Sequence, residues 1–446
     1  MHLALVRPRY HTHLITPQLG LGYLAAAARQ AGHSVAIVDG LADNLDDAAI
    51  VARCTDADLV GIGVMSDTLA RSAALSQALA AAGKAVVVGG PHATALPAQT
   101  LEATGARFCV VGEGEASLAA LLEALSDPGS IPGVWERGVG MPEPRPLVAD
   151  LDALPFPAWD LMHPRRYQLA PHGAFVARFP VAPIVTSRGC PCACSFCASP
   201  GLWGGGIRFR SPGNVLDEIE LLVKRYGVRE IHFEDDNLTL RRPHVTAICE
   251  GILSRGLDIS WAAPNGVRVD TLDRPLLQLM KRSGCSLLAF GVESGSPEIL
   301  RGVGKGTTLA AISRAIDMTA QVGIDTQGFF IFGLPGETEQ TIEQTLRFAC
   351  DSRLDRAQFL LLDVLPGSRL YGELAPSSPS TGDARSFQQL TWCPPGLDPK
   401  LLARTPARAF RRFFLRHPRR VAKLLRRARP RQLRFVLRRI RDFDIA

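Results

Sequence analysis

No stretch of the 446-residue chain approaches the roughly 18 continuous apolar residues that a membrane-spanning helix needs, so integral helical membrane classes are excluded. No export signal is expected either. Met1 leads straight into the strand-like Leu3-Ala4-Leu5-Val6, with no charged and then apolar region, and a cytoplasmic protein is expected. There is no internal repeat at a fixed period. The spacing of a disulfide framework is also absent: of ten cysteines, four crowd into the eight residues Cys190 to Cys197 and six are scattered. Cytosolic thiols gathered in this way read as a metal loop.

What is present suits a globular protein of two or three domains, with 46% apolar residues and enough length to bury more than one core. The net charge of +7 divides unevenly, because residues 401–446 carry 16 Arg and Lys against Asp442 and Asp444. A tail of +14 therefore hangs on a body of −7.

To about Leu125, short apolar runs alternate with helical patterns. Strands are expected near Leu3, Ser34 to Val38, Leu59 to Val64, Ala85 to Val88 and Phe108 to Val111, with helices such as Leu21 to Ala31 and Ala70 to Ala82. This alternation predicts an α/β fold, a doubly wound parallel sheet whose ligands bind at the carboxyl ends of the strands. Gly20, Gly22, Met65, Ser66, Gly89, Gly90, His92, Gly112, Glu113 and Gly114 fall at those ends, where a phosphate-bearing or corrin cofactor would sit. Pro128 to Pro157, rich in proline, glycine and charge, reads as a linker. A second series then runs through Pro183, Glu230 to Phe233, Ser260 to Ala262, Leu287 to Phe290, Gly328 to Phe332 and Gln358 to Leu362, with helices such as Asn214 to Tyr226 between. Six strands so spaced predict a partial (βα)6 barrel with its chemistry at the strands' carboxyl ends. The expected domains are 1–140, a linker over 141–180, the barrel over 181–390 and a basic helical region over 391–446.

The cysteine loop follows the first barrel strand. Cys190, Cys194 and Cys197 are spaced Cys-x3-Cys-x2-Cys, and three thiolates can hold three irons of a 4Fe-4S cube while the fourth iron stays open. A zinc knuckle is the alternative and would recruit Cys192 as fourth ligand. Otherwise Cys192 is a bystander. Glu234-Asp235-Asp236-Asn237 ends the second barrel strand, where three consecutive acids suit a polar site or a solvated turn. Glu293 ends the fourth, in Phe290-Gly-Val-Glu-Ser-Gly295, and a carboxylate there can accept from hydroxyl or ammonium groups. The fifth strand carries Gln327-Gly328-Phe-Phe-Ile-Phe-Gly333-Leu-Pro-Gly336-Glu337. Arg268 and Lys305 also fall near strand ends, as anion partners or as solvated charges.

In this order, these motifs resemble those of radical SAM enzymes, in which the open iron takes S-adenosylmethionine (SAM) and a 5'-deoxyadenosyl radical follows. The resemblance implies 4Fe-4S ligation by Cys190, Cys194 and Cys197. It further implies a SAM pocket of Phe196, Asp235, Asp236, Glu293, Gln327 and Gly328, with Glu234, Arg268 and Lys305 as weaker catalytic candidates. Gly89-Gly90-Pro91-His92-Ala93-Thr94, Val111-Gly-Glu-Gly-Glu115 and Leu154-Pro-Phe-Pro-Ala158 resemble the subgroup with an amino-terminal cobalamin-binding domain, so about residues 1 to 375 are similar to that subgroup. Cobalamin is the third implied cofactor, seated on the edge residues named above. The chain lacks both Gly-Gly-Glu after the second barrel strand and Asp-x-His-x-x-Gly in the first domain, so no histidine is assigned beneath cobalt.

The implied activity is C-methylation of a small metabolite or lipid, with a flavodoxin or ferredoxin as electron donor. Radical dehydration or rearrangement without cobalamin, as on an aminoglycoside diol, is the alternative. A tRNA-modifying enzyme is a further one, but Cys54 and Cys109 do not supply a second cluster set, no carboxyl-terminal RNA-binding barrel is evident, and no nucleic acid is expected. A non-catalytic carrier would not need the acid and glycine motifs. In the tail, Phe410, Phe413, Phe414, Val421, Leu424, Leu425, Leu433, Val436, Leu437 and Ile440 recur at helical spacing with arginines opposite, broken by Pro406, Pro418 and Pro430. Such helices suit the chain's own acidic body, a membrane surface or a nucleic acid, the first being preferred.

Overall fold

Apolar residues that alternate between two buried faces build the first sheet. In β1 (His2–Arg7), Leu3 and Leu5 pack to one side and Ala4 and Val6 to the other. A strand buried on both faces belongs inside a parallel sheet. The computed structural model, which describes residues 1–12, 15–126, 131–139, 143–167, 176–374, 389–427 and 432, shows that sheet. It adds β2 (Ser34–Asp39), β3 (Leu59–Gly63), β4 (Ala85–Gly89), β5 (Phe108–Val110) and β6 (Val134–Glu136) in the order β2-β1-β3-β4-β5-β6. β1 to β5 run parallel. The helices Leu19–Gln30 and Glu115–Glu123 supply buried residues to one face, and Leu69–Ala81 supplies them to the other. The chain order reverses between β1 and β3, which opens the crevice where ligands of such sheets bind.

β6 lies inside the stretch expected to be a linker. It pairs antiparallel with β5, Val134 opposite Val110, and three residues flanked by Pro132 and Gly138 are too short for a periodic signal.

The second sheet has six parallel strands in chain order, Val181–Ile184, Glu230–Phe233, Ser260–Val267, Cys285–Glu293, Asp325–Phe332 and Arg356–Leu361. This is the expected partial barrel. Its connecting helices carry clear local signals: in Pro212–Tyr226, Ser211 Oγ accepts from Asn214 N at 3.2 Å, proline opens the first turn and Gly227 closes the last at φ 65°.

On the fifth strand Phe330 and Phe332 stack on Phe359, which meets Phe413 of the helix Pro399–Leu415. Even-numbered residues there face outward, so Gln327, Phe329 and Ile331 face the barrel interior.

The helix Pro399–Leu415 contains Pro406 without ending, contrary to the expected break, while Pro418 does start a new helix, Pro418–Arg427. Both pack on the second unit. Arg412 meets Glu343 at 2.8 Å, Lys423 meets Asp325 at 3.0 Å and Asp355 at 2.6 Å, and Arg420 donates to three backbone carbonyls. The described tail thus takes up the chain's own acids, while Pro430, Leu433, Val436, Leu437 and Ile440 lie outside the described residues. No described helix is long and apolar enough to cross a membrane.

Contacts divide the chain into two units, residues 1–168, 198–208 and 365–385 in one, and 169–197, 209–364 and 386–446 in the other.

Candidate active site

The chain leaves the first barrel strand at Ile184 and is fastened before it reaches the cysteines. Asp235 accepts from Thr186 N at 3.1 Å, Thr186 Oγ1 at 2.8 Å and Ser187 Oγ at 2.5 Å, and is 2% exposed. Burial pushes its carboxyl up while these donors pull it down. Its oxygens are taken by the loop entry, so Asp235, expected in the SAM pocket, braces that entry. The buried pair Arg210–Glu218, at 2.6 Å, adds a second brace through the Val185 carbonyl, 3.0 Å from Arg210 Nη1.

Cys190, Cys192, Cys194 and Cys197 are half-buried and none is joined in a disulfide. Burial, with Cys192 alongside, pushes Cys190 up to about 12, and burial also raises Cys194 against the pull of Lys305. Metal binding reverses such a rise, because a bound cation deprotonates its thiol. Cys197 N donates to Cys194 O at 3.1 Å and Ser195 N to Val303 O at 3.0 Å, which curls the loop against the 303–306 turn. Phe196 is half-buried on that loop. Among the described residues no three or more His, Cys, Asp and Glu side chains converge tightly enough for a single ion. Zinc needs four ligands about one centre, whereas a cube spreads its thiolates over separate irons.

At the second strand's end Asp236 is exposed and Glu234 half-buried. The next residue, Asn237, is 1% exposed and neither amide atom has a hydrogen-bond partner. At the fourth strand's end Glu293 holds φ 64°, the left-handed region that non-glycine residues avoid at a cost of about 1 kcal/mol or more. A register slip between Gly291 and Glu293 delivers that conformation, and Lys305 Nζ fixes the carboxylate at 2.7 Å. A Cβ on Gly291 would collide with both groups. Ser294 and Gly295 are tied to Thr345, at 3.1 and 2.9 Å.

On the fifth strand Gln327 is 2% exposed with Nε2 unpartnered, facing the interior. Gly328 faces outward, where Leu354 and Phe330 fill the space a side chain would take. That packing requires a glycine here whatever lies on the inner face. Glu337 is buried, accepts from Gly333 N, and is pushed by burial up to about 7. Arg268 is engaged by Asp270, Cys192 and Gly306, so its guanidinium is not an open anion site.

In the first unit, Met65 is exposed, and Ser66 Oγ lies 2.9 Å from His92 Nδ1 at the carboxyl edge of β3 and β4. Burial lowers the His92 pKa and keeps the ring neutral, with Nε2 unpartnered. Gly90 holds φ 110° because a Cβ would strike the Val64 carbonyl. Gly112 (φ 81°) donates to Thr94 Oγ1 at 3.0 Å, Gly89 ends β4, and Gly20 has open space around it.

Three expected edge ligands have other work. Gly22 makes room for Met162 and Pro157, Gly114 for Leu24 and Val110, and Glu113 binds Arg208 at 2.8 Å and Val148 N at 2.6 Å. Sequence reasoning did not single out Asn237 or Gln18, whose Oε1 is buried and unpartnered beside Gly63. A polar residue closing the acid run was the visible hint for Asn237; Gln18 had none.

The donor sets suit the implied groups. Three thiols outside any disulfide match three irons, the orphaned amides of Asn237 and Gln327 with the fixed Glu293 match a polar nucleoside and amino acid, and Gln18 and His92 offer orphaned polar atoms for a corrin.

A family model of the radical SAM superfamily matches residues 184–349, and one of the B12 binding domain matches residues 11–122. An uncharacterised methyltransferase of Pyrococcus horikoshii is 36% identical over 366 residues, 80% of this chain and 78% of its own. The anaerobic magnesium-protoporphyrin IX monomethyl ester cyclase of Rubrivivax gelatinosus is 28% identical over 442 residues, 93% of this chain and 78% of its own. Among solved structures, the radical S-adenosylmethionine methyltransferase TsrM of Kitasatospora setae, with cobalamin and a 4Fe-4S cluster bound, matches at TM-score 0.70. It is 22% identical over 84% of this chain and 74% of its own, a likeness of fold.

Proposed function

Since the chain belongs to the radical SAM superfamily, in the group with an amino-terminal B12-binding domain, we propose that it methylates an unactivated carbon of a small molecule. The cofactors are a 4Fe-4S cluster, SAM and cobalamin. Together they supply a 5'-deoxyadenosyl radical for hydrogen abstraction and a methyl group for transfer.

The observation that carries this reading is the braced loop of three cysteines at the end of the first barrel strand, with the strained Glu293 at the end of the fourth. Cys190, Cys194 and Cys197 would each bind one iron. Glu293, held by Lys305, would accept from ribose hydroxyls or the ammonium group of SAM. Asn237 and Gln327 would complete that pocket with their unpartnered amides. Asp235 acts through the loop it braces. In the first unit neutral His92, fixed by Ser66, would present Nε2 at the corrin edge beside Met65, Gly90 and Gly112.

Anaerobic reconstitution with iron, sulfide and hydroxocobalamin, followed by SAM, a low-potential reductant and candidate metabolites, tests the proposal. A product heavier by about 14 mass units, with 5'-deoxyadenosine released, is expected, and Cys190→Ala, Cys194→Ala or Cys197→Ala abolishes both. Deoxyadenosine without a methylated product would move the reading to radical rearrangement, cyclisation or dehydration, the second reading favoured by the likeness to a cyclase. A flavodoxin or ferredoxin would be the natural reductant, and a small molecule the substrate.

A further inference from the structure

Cys192 sits inside the cysteine loop, two residues from each of two proposed iron ligands, and its sulfur lies beside Cys190 and within reach of a cation. Arg268, at the end of the third barrel strand, places Nη1 3.0 Å from Cys192 Sγ. The same guanidinium holds both oxygens of Asp270 at 2.9 Å and reaches Gly306 O at 3.3 Å. It therefore joins three chain segments at one planar group, a task a guanidinium performs and a single ammonium does not.

The other contacts of the loop point the same way. Ser195 N donates to Val303 O at 3.0 Å, and Gly304, at φ 68°, lies close enough to Ala193 that a Cβ would come within 3.1 Å of its carbonyl. Residues 192, 193 and 195, which alternate with or adjoin the proposed ligands, are thus all engaged by the third strand's end or by the turn after the fourth. A loop of eight residues that must present three thiols to one cube gains from being held in place beforehand, because the ordering entropy is then spent on folding and not on metal binding.

We propose that Arg268 is a positioning residue that clamps Cys192 to Asp270 and Gly306 and thereby holds the three flanking thiols in register. The proposal rests on the reading of Cys190, Cys194 and Cys197 as iron ligands.

The protein is reconstituted with iron and sulfide alone, and loss of the cluster's visible absorbance to a chelator is timed in wild type, Arg268→Gln, Arg268→Lys, Cys192→Ala and the Arg268→Gln/Cys192→Ala double variant. Circular dichroism checks the fold of each. Each single variant is expected to shorten cluster lifetime roughly five- to ten-fold, the scale of one lost hydrogen bond, with Arg268→Lys no better than Arg268→Gln. The double variant loses the cluster no faster than the worse single, because both changes break the same contact. Wild-type lifetime in Cys192→Ala overturns the clamp even if the arginine variants misfold. So does a double variant whose losses multiply, which would mean that Arg268 acts apart from Cys192. A wild type that takes up no cluster at all would instead sink the ligand assignment.

Discussion

Glu337 is a carboxyl group held in a place that suits its neutral form. It is 2% exposed and accepts from the backbone N of Gly333, and burial raises it from an ordinary 4.5 to about 7. Between those two values the folded chain keeps a proton that the unfolded chain has released. Stability is therefore present in full below pH 4.5 and lost as pH rises through about 7, to an extent of about 3 kcal/mol. Glu337→Gln keeps an acceptor for Gly333 N and removes the titration. Urea unfolding of both apoproteins should show wild type losing most of that amount relative to the variant between pH 5 and pH 8. Parallel pH profiles would refute the assignment. At this scale the sequence was a partial guide. The cysteine spacing and the strand-end position of Glu293 needed no partner to be noticed. By contrast, Asp235, Glu113, Arg268 and Gly328 take their roles from Thr186, Arg208, Cys192 and Leu354, which lie 26 to 95 residues away in the chain, and no local pattern records such distances.

Elements were more legible, because period 2 and period 3.6 are local properties. The five parallel strands of the first sheet and the six of the second fall where apolar runs predict them. The exceptions have physical causes. β6 is three residues long and survives by pairing with β5, and Pro406 sits within a helix whose Leu402, Ala409 and Phe413 are buried, so packing outweighs one missing backbone bond. The charge of the tail was plain in the sequence, but its destination was not. Arg420 decides it: 9% exposed, it lies 4.0 Å over the Phe413 ring and donates to the carbonyls of Phe413, Cys350 and Ser352 at 3.1, 3.0 and 2.7 Å. Arg420→Ala leaves three carbonyls without their donor and is expected to cost about 2–4 kcal/mol, by urea unfolding, and to open Pro418–Arg427 to trypsin. Unchanged stability and unchanged cleavage would mean that the helix is not docked through this residue.

The chain alternates between its two units, and that bears on how they unfold. Cys197 belongs to the second unit and Ala198 to the first, and the helix Ser199–Trp203 packs within the first unit against Pro91–Ala95, the helix that carries His92. Residues 365–385 likewise belong to the first unit, though they follow the sixth barrel strand directly. The chain therefore passes from one unit to the other five times. Neither unit can unfold without releasing segments whose ends are anchored in the other, so a single cooperative transition is expected despite two cores. Hydroxocobalamin at about 100 times its Kd stabilises whatever unfolds with its site by about 2.7 kcal/mol. Spread over the unfolding entropy of the entire chain, that shifts Tm by about 3 °C, and over a first unit of roughly 200 residues by about 6 °C. Calorimetry of the cluster-free protein should show one peak that moves by the smaller amount, together with the fluorescence of Trp261, which is buried in the second unit. Two peaks, of which only one moves by the larger amount, would show that the units unfold independently and that the crossings at Cys197 and Val364 transmit nothing. No shift at saturating hydroxocobalamin would remove cobalamin from the first unit, and with it the methyl donor of the proposed reaction.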